Sequence, residues 1–170
     1  FVGSLINRKN VILIFKALRL LKNGGVDFEF TLVGDGTERT QLENYASHSG
    51  FLDCIHFVGE LPHIEVAEML KKHPVYISAS MHEGRPNGVI EAMASGCCCI
   101  LSDINGHREL VRDGEFGLSF RDNDEQELYE VLMMIVRRPE LGVEVGNSAR
   151  SFILDSGTTW EACAVGYKKL

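Results

Sequence analysis

At 170 residues, 45% of them hydrophobic, the chain has the length of one ordinary domain and enough apolar side chains for a sizeable core, which excludes a disordered polypeptide. Its 17 basic and 24 acidic residues give a formal net charge of −7, the wrong sign for a surface that coats nucleic acid. An anionic small ligand stays open, because a pocket can be locally cationic within an acidic protein.

Residues 1–3 (FVG) read as the end of a strand, so the chain is expected to be one lobe with something before it. Val11, Ile14, Phe15, Leu18 and Leu21 then fall at helical spacing, and Asn23-Gly24-Gly25 stops that helix. Residues 28–33 (FEFTLV) are β-rich and end at Gly34-Asp35-Gly36; residues 37–49 form a polar helix with Leu42 and Tyr45 inward. A third strand is expected over residues 55–58, a short helix over 63–72, a fourth strand over 75–78, a helix over 89–95 and a fifth strand over 97–101. A short helix ends at Val111, residues 117–120 make a small sixth strand, residues 125–137 a clear helix, and the remainder one or two more helices.

This alternation with short glycine-marked links predicts an α/β fold, a Rossmann-like doubly wound parallel sheet of about six strands. In such sheets ligands bind beyond the carboxyl ends of the strands, which selects the loops after Val2, Val33, Val58, Ala79 and Leu101.

Most chemistry is absent from those loops. Gly34-Asp35-Gly36 carries only the first part of a dinucleotide fingerprint, with Arg39 at the third glycine position, and there is no GxxxxGK[ST] and no GxSxG. The six histidines lack ligand spacing such as HExxH, so no metal is expected. His56, His63 and His73 are scattered and read as surface or internally satisfied. The cysteines are Cys54, Cys97, Cys98, Cys99 and Cys163; three adjacent residues on a strand alternate in direction and cannot form a metal cage by themselves, so free buried thiols in a reducing compartment are expected. No stretch spans a bilayer and no signal peptide is visible, which points to the cytoplasm, with peripheral association of a longer parent at the membrane surface left open.

The loop after the fourth strand differs. In residues 80–96 (SMHEGRPNGVIEAMASG) two glycines and a proline force a tight turn directly before a helix. Asn87 is a candidate N-cap, and the amides of Gly88, Val89 and Ile90 would then point outward as an anion site for a diphosphate. Glu83 in the turn and Glu91 one turn into the helix suit hydroxyl groups, one for a hexose and one for a ribose. They equally suit a turn cap and a helix-dipole partner.

Seven residues lie between Glu83 and Glu91, the EX7E spacing, within SxxEGxPxxxxEAMAxG. With Val2-Gly3-Ser4-Leu5 and Lys9-Asn10, Leu32-Val33-Gly34-Asp35-Gly36, Phe57-Val58-Gly59, Ser102-Asp103, Gly106-His107-Arg108-Glu109-Leu110-Val111, Asp113-Gly114 and Gly117-Leu118, nearly the whole chain resembles the retaining GT-B glycosyltransferases of family 4, the "group 1" enzymes. The resemblance implies that residues 1–170 are one nucleotide-sugar-binding domain, the C-terminal half of a GT-B fold, with the N-terminal acceptor-binding domain absent. It implies hexosyl transfer from a nucleotide-diphospho-sugar with retention, on the way to a polysaccharide or glycoconjugate, with no cofactor and no metal. Lys9 matches the lysine on the diphosphate, and Glu83 the carboxylate at the transferred sugar. Gly84, Arg85, Pro86, Asn87, Gly88 and Val89 match the loop whose amides hold sugar and phosphate. Glu91 matches the ribose carboxylate, and Gly34, Gly59 and Leu61 match loops lining ribose and base. By the same resemblance the isolated domain is expected to be inactive. Ser4 stands where the family has a phosphate arginine, with Arg8 or Arg85 as substitutes, and Cys98 stands where the family has a proline. A nucleotide-sugar 2-epimerase lobe and a catalytically silent nucleotide-binding or scaffold lobe are the alternatives; the segment around His107 reads either as an approach to the donor or as structural.

Overall fold

The computed structural model describes residues 1–156, with Asp113 described by its backbone alone. The parallel strands are β1 (Phe30–Val33), β2 (Ile55–Gly59), β3 (Val75–Ser78), β4 (Cys98–Ser102) and β5 (Leu118–Phe120). The helices are α1 (Val11–Asn23), α2 (Arg39–His48), α3 (His63–Lys71), α4 (Asn87–Ala94), α5 (Asn105–Val111), α6 (Glu125–Arg137) and α7 (Pro139–Asp155). Residues 157–170, including Cys163 and the tail read as helical, lie outside the described residues.

The expected six-strand sheet resolves, among the described residues, into five strands in two sheets: β1 with β2, and β3–β4–β5. The sixth element is the segment at residues 1–3. It runs parallel beside β1, with Val33 N donating to Phe1 O at 3.0 Å and Gly3 N to Val33 O at 2.9 Å, but makes only the bridge Val2–Val33. Toward β3 the Tyr76 hydroxyl donates to the Val2 carbonyl at 3.2 Å. A side chain thus stands where a backbone ladder would join the two sheets.

Side-chain alternation sorts the interior into two cores. Leu32, Ile77 and Ile100 face one cluster with the apolar stripes of α1, α2 and α6; Val33, Tyr76, Cys99 and Leu101 face the other with α3, α4, α5 and α7. Helices on both faces make the fold doubly wound, as the alternating pattern predicts. All five residues of β4 are buried, an apolar run that ends in the polar Ser102. Among the described residues no helix is long and apolar enough to cross a membrane.

Two glycines shape the ends of the strands. Gly34 has φ +128°, and a Cβ there would sit 2.0 Å from the Gly3 carbonyl oxygen; its amide donates to Gly59 O at 2.7 Å. Gly106, at the start of α5, lies so close to the β3–α4 loop that a Cβ would meet the Glu83 carbonyl oxygen at 2.5 Å.

Candidate functional site: the two faces of the β3–α4 loop

The loop from Ala79 to Pro86 leaves the carboxyl end of β3 and feeds α4. Glu83 is buried, at 8% exposure, and its Oε1 receives two donors: Lys9 Nζ at 2.5 Å and Ser80 Oγ at 2.7 Å. Lys9 comes from a 3-10 turn (Asn7–Lys9) that follows residues 1–3, and that turn is tied to the loop by the Met81 amide on the Arg8 carbonyl at 2.9 Å. Asn10, with φ +48°, ends the turn and starts α1. Burial acts to raise the Glu83 pKa, but the hydrogen bonds from Lys9 and Ser80, with the charges of Lys9 and Arg8, outweigh it and hold the carboxyl below its ordinary range. Glu83 is therefore ionised at neutral pH.

Glu91, one turn into α4, has a more open setting, with a side chain 26% exposed and His63 Nδ1 at 3.7 Å. The two carboxylates look into different clefts. One, of about 410 Å³, is lined by Glu83, Gly84, Arg85, Pro86 and Ile90 on one side and by Asn105, Gly106, Glu109 and Leu110 on the other. The second, of about 270 Å³, has Gly3, Ser4, Gly34 and Asp35 along one wall and Glu60, Leu61, His63 and Glu91 along the other. The structure thus brings Glu83, Gly84, Arg85 and Pro86 together on one side, and Gly34, Leu61 and Glu91 on the other. Ser4 lines the second cleft and brings it no charge.

Three details differ from the sequence reading. Asn87 is the first helical residue and Pro86 occupies the N-cap position without a side-chain cap. The Val89 and Ile90 amides are not free: both donate to the Pro86 carbonyl, at 3.0 and 3.1 Å. Val89 itself is buried, 2% exposed. Gly88 is the tightest point of the helix start: a Cβ there would lie 2.8 Å from the Tyr76 hydroxyl and 3.0 Å from the Val2 carbonyl. Gly59 acts through its carbonyl on Gly34 rather than by lining either cleft.

Sequence reasoning gave no role to Ser80 and Ser102 and left His107 open between an approach to the donor and a structural part; all three are buried and linked to Glu83 by hydrogen bonds through Ser80. The available signal was a serine at the carboxyl end of an otherwise apolar strand. Cys97 and Cys98 are buried free thiols, pushed up to about 11 by burial. Among the described residues no group of three acidic, histidine or cysteine side chains is arranged to hold a metal ion.

Helices thus cover both faces of the sheets, and the EX7E stretch follows the carboxyl end of β3, with Glu83 in one cleft and Glu91 in another. The family described as glycosyl transferases group 1 matches residues 1–152, and the chain belongs to that family. It is 28% identical over its whole length to an uncharacterised glycosyltransferase of Methanocaldococcus jannaschii, covering 46% of that protein, and 29% identical over 79% of its length to the amylovoran biosynthesis glycosyltransferase AmsK of Erwinia amylovora, covering 34% of it. The chain thus spans less than half the length of these relatives. In fold it is similar to sucrose-phosphate synthase of Thermosynechococcus elongatus, with a TM-score of 0.87 and 24% identity over 99% of this chain and 43% of that one. It is likewise similar to Anabaena HepE, solved with UDP and glucose, with a TM-score of 0.79 and 20% identity over 89% of this chain and 42% of that one.

Proposed function

We propose that this chain is the donor-binding half of a retaining glycosyltransferase that moves a hexosyl group from a nucleotide-diphospho-sugar to a glycan, lipid or other acceptor held by a separate N-terminal domain. The observation that carries the reading is the division of labour across one loop. A fixed, ionised Glu83 lines one cleft and a freer Glu91 lines the other, with the start of α4 between them. A sugar in the first cleft and a ribose in the second would place the diphosphate against that helix start, where the dipole favours negative charge. The fold neighbour HepE was solved with both a nucleotide and a sugar, which supports the assignment.

With two donors on Oε1, the other carboxylate oxygen of Glu83 is the one for a sugar hydroxyl. The charge that develops on the leaving diphosphate is met by Lys9 and Arg8 without a metal, a fixed electrostatic stabilisation. Arg8 takes the place of the arginine replaced by Ser4; its charge already acts on Glu83. The buried free thiols suit a reducing, cytoplasmic setting.

Isothermal titration of the protein that carries this chain with UDP, GDP and ADP tests the reading. Micromolar-range binding of one of them is expected, unaffected by EDTA; no binding of any would overturn it. Glu83→Ala is expected to lower transfer at least about 100-fold. NMR of the product should show the anomeric configuration of the donor, and an inverted product would remove the retaining assignment.

A further inference from the structure

Behind Glu83 lies a buried row of polar groups that this chemistry does not use. Ser78, Ser80, Ser102 and His107 are each at most 3% exposed. Hydroxyls in such a place cost free energy unless they are hydrogen-bonded, and here every one is.

The direction of each bond is forced. An ionised carboxylate only accepts, so Ser80 Oγ, 2.7 Å from Glu83 Oε1, donates to it. With that proton committed, the 3.3 Å contact between the two hydroxyls makes Ser78 the donor to Ser80. Ser102 Oγ donates to the Ser80 carbonyl at 2.6 Å. His107 Nδ1 lies 2.9 Å from the Ser102 carbonyl, which can only accept, so Nδ1 carries the ring proton. His107 Nε2 is buried without a partner among the described residues, and burial holds the ring pKa below its ordinary value. The ring is thus neutral and used through Nδ1 alone. Both branches converge on Ser80, one at its hydroxyl and one at its carbonyl. Gly106, the neighbour of His107, presses against the Glu83 backbone from the same side.

We propose that Ser80, held by Ser102 and His107, is the positioning residue that fixes Glu83 for sugar transfer, by locking Oε1 and leaving the other oxygen to the sugar. This rests on the reading of Glu83 as the sugar-side carboxylate. Ser80 orients the carboxylate directly; Ser102 and His107 keep the Ser80 backbone from turning its hydroxyl away.

The test is the titration of Glu83 in the protein that carries this chain, followed by carbon-13 NMR of carboxyl-labelled glutamate and assigned by the resonance lost in Glu83→Gln. Ser80→Ala is expected to raise the midpoint by about one pH unit, and Ser80→Thr, which keeps the hydroxyl, to restore it. His107→Leu should raise it by less. His107→Asn, whose amide can take the place of Nδ1–H, should restore it, and His107→Gln should not. A row with a merely structural role would lower the melting temperature in these variants and leave the Glu83 midpoint where it is, which would overturn the inference. If His107→Leu fails to fold, the Ser80 pair decides alone. Full sugar transfer by Glu83→Gln, with a shifted Ser80→Ala midpoint, would sink the functional reading and leave the Ser80–Glu83 coupling standing.

Discussion

Glu83 and Glu91 sit eight positions apart on one continuous stretch of chain, yet their surroundings have little in common. Glu83 is buried and has a lysine and a serine on a single oxygen. Glu91 is partly open and has a histidine at the outer limit of an ion pair. The spacing motif therefore does not describe two equivalent acids. A carboxylate whose position and charge are both held can act on a reacting centre, where an error of an ångström is expensive. Under the proposed reading Glu91 needs only to accept hydroxyl hydrogen bonds from a ribose, which tolerates freedom.

The contrast can be broken most severely at Lys9. Lys9→Met would leave the Glu83 charge buried without its cation, and is expected to cost about 2 kcal/mol of stability, read from the shift in a urea midpoint. Adding Glu83→Gln should recover part of that loss, because both charges are then gone. Equal stability of Lys9→Met and the parent would mean that the pair is not coupled. At the other carboxylate, Glu91→Gln should leave the urea midpoint nearly unchanged and weaken nucleotide binding about tenfold, or about 1.4 kcal/mol, measured by titration calorimetry. A large stability loss there would erase the difference between the two acids.

A finer test uses pH. His107 has a folded pKa below its ordinary 6.5, so the unfolded chain binds the extra proton and stability falls as pH drops below about 6.5. Glu83 also has a lowered pKa, from an ordinary 4.5, and its contribution is lost at lower pH, as pH falls from the unfolded value through the folded one. The two windows separate. Melting temperature should decline between pH 7 and 5, and His107→Asn should flatten that decline without changing the steeper fall below pH 4.5. An unchanged decline in the variant would show that some other group controls the upper window.

Much of the fold was legible along the chain. The 3.6-residue spacing of Val11, Phe15 and Leu18 and the apolar run in β4 gave helices and strands within a residue or two. The segment at residues 1–3, read as a strand end, forms only a bridge to β1, and three residues offer too little pattern to show which neighbours they would pair with. Asn87 looked like a cap because its side chain is the right kind; the helix instead begins at Asn87, with the Pro86 carbonyl accepting the Val89 and Ile90 amides.

For the site, the sequence by itself determined the order of strand, glycine-rich turn and helix, and hence that two glutamates would flank a helix start at the carboxyl edge of a parallel sheet. Those are short-range relations, fixed by periodicity and by the conformational limits of glycine and proline. Only the tertiary structure decided that Lys9, 74 positions away, closes on Glu83, and that Ser102, 22 positions from Ser80, supports the serine behind it. Those contacts depend on which strands become neighbours, β3 beside β4 and residues 1–3 beside β1, and on the burial that makes an unpaired hydroxyl or carboxylate too costly to leave alone.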